Sequence, residues 1–414
     1  MKKAFAIVLV LILFVIGYIA FEKYQNNKDT RKKFTFWTIQ LKPIYEKEIN
    51  KIISDFEEKH NDIKVVWVDI PIQEAQKRTL ASILSDNPPD LINLNPDFSI
   101  LLAQRGALEY FQEKETTQFN KNLIDKLKYQ NNIYALPFYA TSSVTIYNKE
   151  LYDKCIKKDF IKSYDELYSI SKDFKECANM PIFASSLNEN DTLAKILNKY
   201  DIYDLKTEEQ IKNAISVYSL LNNMYKKNYL PKDVLTINHR EVVEKYMSNQ
   251  AGIIVVGSNF INIIKENAKE VYNKSRIAPQ LIGKNHKYDI ALMNLIIPKK
   301  SQNKELAKEF ALTLTNKENQ LELSKLTNVL PANQEALDNE YFKNCPPDLS
   351  QQSRCISSMQ LNNLVENDFG NNNKKVINEL INKTLEELLL DNASDDILIK
   401  NKINSLANQI KKYQ

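Results

Sequence analysis

The stretch YALPFYATSSVTIYNKELY, residues Tyr134 to Tyr152, decides the fold more than any other part of the chain. It begins as an apolar run, continues through four small or hydroxylated residues, Ala140 to Ser143, and becomes β-branched at Val144 to Ile146. Asn148 then predicts the N-cap of a helix. Hydroxyl groups beside aromatic rings suit a cleft that receives a polar, partly apolar ligand. A plain strand–turn–strand with surface Ser and Thr is the alternative interpretation.

Length and composition favour two globular lobes and give no reason to expect nucleic acid. The 414 residues exceed the size of one ordinary core, and 56 basic against 52 acidic residues give a net charge of only +4. Only six glycines occur, although phosphate-binding loops depend on glycine. The segment from Gly252 to Gly257 has P-loop spacing, but Ser258 and Asn259 replace the required Lys and Ser/Thr. We therefore expect no nucleotide chemistry and no cofactor.

The N-terminus predicts export. Lys2 and Lys3 precede an apolar run from Ala4 to Phe21, which is longer than a usual signal-peptide core and close to the length that spans a bilayer. A long cleaved signal and an uncleaved anchor both remain open for residues 1–21, and residues 22–33 are predicted to form a linker. Because five basic residues follow the run, the charge asymmetry does not decide its orientation. We expect a periplasmic or cell-surface protein, attached to the membrane through residues 4–21 if they are retained.

The four cysteines form two local pairs, Cys155 with Cys177 and Cys345 with Cys355. Neither spacing is a CxxC motif, and the three histidines are isolated, so no metal site is expected. In an oxidising compartment these pairs predict two short-range disulfides. Four reduced structural thiols are the alternative.

Strands alternate with helices near the start of the chain. Strands are predicted at Phe34–Ile39, Ile63–Ile70 and Leu91–Leu94, with helices at Ile44–His60 and Gln73–Leu84 between them. This order predicts an α/β architecture with a largely parallel sheet. Ligands in such sheets bind beyond the carboxyl ends of the strands. Those ends are Gln40–Leu41, Asp69, Asn95–Asp97 and Tyr139–Ser143.

Signatures of catalysis are missing from the sequence. HREVVEK at His239 lacks the second histidine of HExxH, and no GxSxG occurs. Acidic pairs such as Asp395–Asp396 lie on polar helical faces, where solvated charge is the simpler interpretation. Two glycosidase carboxylates from distant segments remain open. We expect a protein without catalytic residues.

Five segments, in order along residues 34–340, resemble the extracellular solute-binding proteins of ABC importers, in the sugar-binding family 1 of the maltose-binding type. The segments are FTFWTI, PPDLINLNPDFSILLAQRGALEYF, the stretch quoted above, NQAGIIVVGSNFINIIKENA, and MNLIIPKKSQNKELAKEFALTLTNKENQLELSKLTNVLPANQEAL.

The resemblance implies the type II periplasmic-binding-protein fold: two α/β lobes, each a mostly parallel sheet flanked by helices, that close on a ligand by hinge motion. Residues 34–139 and 293–337 would form the N-terminal lobe, and residues 140–292 and 338–414 the C-terminal lobe. The implied function is capture of a sugar or related polyol by a monomer, with delivery to ABC permease subunits. A different solute such as glycerol phosphate, a membrane-anchored glycoside hydrolase and an anchored sensor domain are the alternatives.

The resemblance also implies ligand-binding positions. They are Trp37, Gln40, Asn95, Asp97, Tyr139, Thr141, Ser142, Asn259, Phe260 and Arg276, with a further polar loop at Ser185, Ser186 and Asn188. Each has a structural alternative: core packing for Trp37, an Asx turn or N-cap for Asp97, and a surface salt bridge for Arg276. Thr141 stands where the maltose-type protein has a glutamate, so maltose specificity is not implied.

Overall fold

The computed structural model describes residues 29–189, 191–327, 329–365, 373–391 and 395–413. The proposed export segment and most of the linker therefore lie outside the described residues. The predicted linker also ends earlier than residue 33, because Lys32 already pairs with Ile63 in the first strand. Within the described ranges, no helix is long and apolar enough to cross a membrane.

The first lobe is built on a six-stranded sheet with the order β12-β6-β11-β3-β1-β2. Its strands are β1 Lys32–Ile39, β2 Ile63–Ile70, β3 Leu91–Leu94, β6 Leu136–Thr141, β11 Ala291–Ile296 and β12 Leu330–Pro331. A separate hairpin, β4 Lys128–Tyr129 with β5 Asn132–Ile133, lies beside it. Its helices are α1 Lys42–Lys59, α2 Ile72–Leu84, α3 Pro96–Gln104, α4 Lys121–Asp125, α12 Lys304–Leu314, α13 Lys317–Leu326, α14 Gln334–Leu337 and α15 Glu340–Lys343.

Alternating burial along β1 explains how the first lobe is held together. Phe34 and Phe36 are fully buried, and the edge of the Phe310 ring packs against both at centroid distances of 5.5 and 5.4 Å. Phe56 of α1 joins them at 4.9 Å from Phe310. Full burial of each such side chain contributes roughly 1.5–3 kcal/mol. The helices α1 and α12 are therefore fixed on one face of the sheet.

The second lobe is built on a four-stranded sheet with the order β10-β7-β9-β8. Its strands are β7 Ser143–Asn148, β8 Phe183–Ala184, β9 Ile253–Gly257 and β10 Ser275–Ala278. Its helices are α5 Lys149–Cys155, α6 Tyr164–Ala178, α7 Thr192–Asn198, α8 Glu208–Lys226, α9 His239–Met247, α10 Phe260–Asn267, α11 Lys269–Lys274, α16 Leu349–Gln360, α17 Lys374–Leu390 and α18 Asp396–Ile410. Two hydrophobic clusters cover this sheet, and the larger includes apolar residues of α6, α8, α17 and α18.

The two-lobe α/β fold is confirmed, but both sheets are mixed rather than mostly parallel. In the first sheet, β1 is parallel to β2 and β3, whereas β11 is antiparallel to β3 and β6, and β12 is antiparallel to β6. The reason is connectivity: the chain leaves the first lobe at the end of β6 and returns at the start of β11, and these two points lie at the same end of the sheet. Two neighbouring strands that leave and enter at one edge must run in opposite directions.

A network of buried side chains ties the crossing segments together. Ser142 lies between β6 and β7, and its Oγ accepts hydrogen bonds from Nε2 of Gln360 at 2.7 Å and of Gln280 at 3.0 Å. The Gln280 amide also bonds both backbone groups of Asp289, and the Lys199 ammonium donates to Gln280 Oε1 at 2.7 Å. Lys199 Nζ lies 2.9 Å from a carboxylate oxygen of Asp289. We call these five residues the hinge network, because they join β6–β7, the segment from β10 to β11 and the end of α16.

The lobe boundaries stay a prediction, although the cores refine them. Phe342 of α15 packs in the first core, beyond the predicted boundary at residue 337. The chain then enters the second lobe at Leu349 of α16, and Leu361 and Leu364 return to the first core. The helix α16 is thus a short excursion into the second lobe.

The structure brings both predicted cysteine pairs together. The Cα atoms lie 5.5 Å apart for Cys155 and Cys177, and 5.6 Å apart for Cys345 and Cys355. Both separations fall in the range of disulfides. The structure therefore confirms that the two cysteines of each pair are close enough to bond, and oxidation of the four thiols stays a prediction.

The Lys199–Asp289 pair generates a stability prediction. We expect Lys199→Met to destabilise the protein by about 3–5 kcal/mol, because it leaves the Asp289 carboxylate without its buried partner. Burial alone would raise the pKa of Asp289, but the charges of Lys199 and Lys195 outweigh it and hold that pKa below its usual value. The difference between wild type and variant should therefore narrow as the pH falls through the acid range, because the contribution of the pair is lost when Asp289 takes up a proton, which in the wild type happens only below the usual pKa of an aspartate.

Urea unfolding at pH 7 and pH 3 measures both effects. Lys402→Met removes a matched but exposed pair with Glu387 and should cost less than about 1 kcal/mol. If both variants lost the same free energy of unfolding, the Lys199–Asp289 pair of the hinge network would contribute no more stability than an exposed ion pair.

The cysteine pairs generate a second prediction. Cys155→Ser with Cys177→Ser should lower the free energy of unfolding by about 3 kcal/mol, because the bridge closes a separation of 22 residues in the unfolded chain. Reductant should shift the unfolding midpoint of the wild type but leave a four-serine variant unchanged. Four free thiols titrated in the exported, denatured wild type would contradict the prediction.

Candidate functional site

Strand direction places the candidate site between the two sheets, where strand ends of one sheet face strand ends of the other. We call each such row of strand ends an edge. In the first sheet, β6 runs in the same direction as β1 and β3, since β11 is antiparallel to both β6 and β3. The carboxyl ends of β1, β3 and β6 therefore share one edge, which carries Gln40, Asn95, Asp97 and Thr141. Because only Ser142 separates β6 from β7, this edge lies next to the second lobe.

Asp69 shapes the turn at Gln40 but is itself occupied. Its carboxylate accepts hydrogen bonds from the Thr38 hydroxyl at 2.6 Å and from the backbone N–H groups of Leu41 and Lys42 at 3.0 and 3.1 Å. It thus satisfies the N-terminus of α1, where an anion is favoured. The turn requires a left-handed backbone at Gln40, with φ of 50°, and leaves that side chain exposed at the edge.

Asn95 and Asp97 have different roles at the start of α3. The Asn95 side chain accepts a hydrogen bond from the backbone N–H of Phe98 at 2.9 Å, so Asn95 is the N-cap of α3. This is the role that the sequence analysis gave as the structural alternative for Asp97. The Asp97 side chain is about half exposed, at 52%, and its Oδ2 lies 2.9 Å from Lys374 Nζ. Asp97 therefore remains reachable from the space between the lobes.

Tyr139 and Thr141 line the end of β6. The Tyr139 ring lies 6.5 Å from the ring of Tyr45 and packs against the first core. Burial, followed by the proximity of Tyr45 and Asp69, raises the pKa of the Tyr139 hydroxyl, which therefore stays protonated and can donate a hydrogen bond. Thr141 is half-buried and pairs with Ala291 at the edge.

The facing edge belongs to the second sheet. Ser143 pairs with Gly257, so the start of β7 and the end of β9 lie side by side. Asn259 is exposed there, and Phe260 is half-buried against the smaller second-lobe core. A Cβ at position 257 would lie 2.5 Å from Asn259 Oδ1, so the Asn259 side chain would have to turn away from a larger residue there. This places two predicted residues, Asn259 and Phe260, opposite the first-lobe edge.

The loop after β8 contributes a polar cluster to the same side. Ser186 Oγ lies 3.1 Å from His239 Nδ1, and the same nitrogen contacts the carboxylate of Glu189. In a nucleophile–base–acid relay the two partners engage opposite ring nitrogens, so this cluster lacks that geometry. Ser185 and Ser186 are buried, whereas Asn188 is half-buried. Across the described ranges, no group of three or more His, Cys, Asp or Glu side chains is arranged to hold a metal.

Three of the positions implied by the resemblance lie away from this space. Ser142 is 2% exposed, and its hydroxyl is taken up by the hinge network. Arg276 pairs with Tyr147 at the opposite end of the second sheet, because β10 runs antiparallel to β7. Trp37 packs against the first core beneath the Arg78 guanidinium, 5.7 Å from its ring, as its core-packing alternative predicts. A stretch of sequence can predict that a strand forms, but it does not predict which end of the sheet or which face of the strand lies at the cleft.

Lys374, His239 and Glu189 are cleft-side residues that the sequence does not identify. Each is polar in a region where surface Lys, Glu and His are ordinary, so no local pattern marks them. Lys374 is nevertheless the first residue of α17, and a cation is disfavoured at a helix N-terminus.

Comparison with known proteins agrees with this geometry. A galactooligosaccharide-binding protein of Bacillus subtilis (strain 168) is 22% identical over 306 residues, covering 69% of each chain. The sugar-binding protein MalE of Xanthomonas citri superposes with a TM-score of 0.74 at 17% identity, covering 92% of this chain and 98% of that one. The maltose-binding periplasmic protein MalE of Listeria monocytogenes, in complex with maltose, has a TM-score of 0.71 at 18% identity, covering 93% and 99%.

The bacterial extracellular solute-binding protein family matches residues 42–321 of the sequence. Because this match spans more than half of the 414 residues, the chain belongs to the bacterial extracellular solute-binding protein family.

Proposed function

We propose that the protein captures a sugar or related polyol outside the cytoplasm by hinge closure and delivers it to an ABC permease. The observation that carries the proposal is the pair of polar edges that face each other at the Thr141–Ser143 crossing. Gln40, Asp97 and Asn259 present hydrogen-bonding groups there, while Tyr139 and Phe260 supply aromatic surface. Sugar hydroxyls need such partners when they lose water, and rings cover their CH faces.

Charge pairing favours an uncharged ligand over glycerol phosphate. Asp97 is paired with Lys374 at 2.9 Å, and Lys195 with Asp191 at 3.1 Å. An anionic ligand would need cations that are not already neutralised by carboxylates. The relatives named above bind galactooligosaccharides and maltose, which are uncharged.

The proposed setting is the periplasm or the cell surface. The family is extracellular, and the apolar segment at residues 4–21 supports export, with tethering to the membrane if it is retained. The protein would act as a monomer, without a cofactor or catalytic residues, and its partners would be the carbohydrate and the transmembrane subunits of the permease.

A ligand panel tests the proposal. Galactooligosaccharides, maltooligosaccharides, mannitol, glycerol 3-phosphate and amino acids are compared by thermal shift, followed by calorimetry. A ligand at one hundred times its dissociation constant stabilises the folded state by about 2.7 kcal/mol, and we expect a neutral carbohydrate to do so. A shift with glycerol 3-phosphate or an amino acid, and none with any carbohydrate, would refute the sugar assignment.

Asp97 provides the residue-level prediction. Hydrogen bonds to a charged group contribute about 1.5–3 kcal/mol, so Asp97→Ala should weaken sugar binding by at least about tenfold. Asp153→Ala is a matched control: that carboxylate is 54% exposed and 2.7 Å from Lys149, but lies on α5 beyond the far end of β7. Equal dissociation constants for wild type and Asp97→Ala, measured by calorimetry, would remove Asp97 from the site.

A further inference from the structure

The cysteine pair Cys345–Cys355 lies where the chain passes between the lobes for the third time. Helix α15 ends at Lys343, in the first lobe, and α16 begins at Leu349, in the second. Cys345 belongs to the segment between the two helices, whereas Cys355 lies within α16 and is buried. A bond between the two sulfur atoms therefore joins the crossing segment directly to the second lobe.

Each of the two helices is attached to its own lobe. In α15, Phe342 is buried in the first core. At the start of α16, the Asp348 carboxylate accepts hydrogen bonds from Lys265 Nζ at 3.3 Å and from the Tyr272 hydroxyl at 3.2 Å, and Leu349 packs in the smaller second-lobe core. Movement of α15 relative to α16 is therefore movement of one lobe relative to the other.

The two helices also touch without a covalent bond. The Arg354 guanidinium of α16 lies 3.9 Å from the centre of the Tyr341 ring of α15. The Cys355 sulfur lies 3.5 Å from the backbone oxygen of Lys343. Such contacts can part and form again as the lobes move, whereas a disulfide cannot.

The bond shortens the crossing. Without it, residues 344–348 connect the helices, and the six steps from Lys343 to Leu349 can extend to roughly 20 Å. With it, only Asn344 separates α15 from the bonded Cys345. The end of α15 then stays within about 13 Å of Cys355, because two residue steps span about 7 Å and the bonded Cα atoms lie 5.6 Å apart.

We propose that the Cys345–Cys355 disulfide is a covalent staple that limits the relative motion of the two lobes. Its formation removes two electrons and two protons from the two thiols, and a disulfide oxidant outside the cytoplasm accepts them as it becomes two thiols. The staple rests on the hinge motion of the proposed function, but on no particular ligand.

The Cys155–Cys177 pair is a matched control within the same chain. Its Cα atoms lie 5.5 Å apart, but its cysteines belong to α5 and α6, which both pack in the larger second-lobe core. Either disulfide constrains the unfolded chain, so both should contribute to stability. Only the pair at the crossing should also limit the motion of the lobes.

Pulsed electron spin resonance on the free protein measures that motion. Gadolinium labels are attached to a non-natural amino acid at exposed Lys51 of α1 and at exposed Lys172 of α6, so that the labels report the distribution of distances between the lobes. The cysteines are then left for the two disulfides, and the labels tolerate reductant.

Two double variants separate the disulfides. Cys155→Ser with Cys177→Ser retains only the staple, and reductant should widen its distance distribution by several ångströms, because the crossing can then extend further. Cys345→Ser with Cys355→Ser retains only the disulfide within the second lobe. It should show the wider distribution both with and without reductant.

The proposal is overturned if the two double variants have the same distribution without reductant, and that comparison decides even where reduction unfolds the protein. Two free thiols at Cys345 and Cys355 in the exported wild type would overturn it as well. No ligand is added, so the ligand panel decides on sugar capture independently. A sugar that binds while the distributions stay equal refutes the staple alone, and a widened distribution without any sugar binding refutes the sugar specificity alone.

Discussion

The buried hydrogen bonds among Ser142, Gln280 and Gln360 are the constraint on which the rest of the structure depends. Each residue belongs to a different pass of the chain between the lobes, and each is at most 2% exposed. An amide or hydroxyl without a partner would cost about 1–3 kcal/mol in such a place, so the three segments hold one another in position. The relative placement of the two polar edges follows from this.

The same crossing decides which residues face the space between the lobes. Because β6 and β11 enter and leave the first sheet at one edge, the neighbouring ends of β1 and β3 lie close to the hinge as well. In the second sheet, β9 ends where β7 begins, so its terminal turn at Asn259 faces the first lobe. The mixed sheets are thus a consequence of a chain that passes between lobes more than once, and the site is a consequence of the mixed sheets.

Sequence reasoning predicts the local elements well, and the structure brings some of the predicted site residues to the space between the lobes. The strands at Ile63–Ile70 and Leu91–Leu94 agree with the structure because each is a short apolar run bounded by polar or turn-forming residues. The position of Arg276 could not be predicted, because the order of the strands decides which end of the sheet it occupies. The burial of Ser142 could not be predicted either, because its partners Gln280 and Gln360 are far away in sequence. The position of Lys374 beside the cleft could not be predicted for the same reason: its partner Asp97 is 277 residues away, and no local pattern connects them.

Two aspartates at one edge differ in where their partners come from. Asp69 accepts three hydrogen bonds from its own lobe, two of them from the backbone of α1, and those partners are fixed in every position of the hinge. Asp97 receives its one strong partner from the opposite lobe, and hinge opening removes that partner. A group whose partner leaves when the lobes separate is exposed to water and free to bind again. A carboxylate that is satisfied across the cleft can thus change partners as the lobes move, whereas one that is satisfied within a lobe holds that lobe rigid.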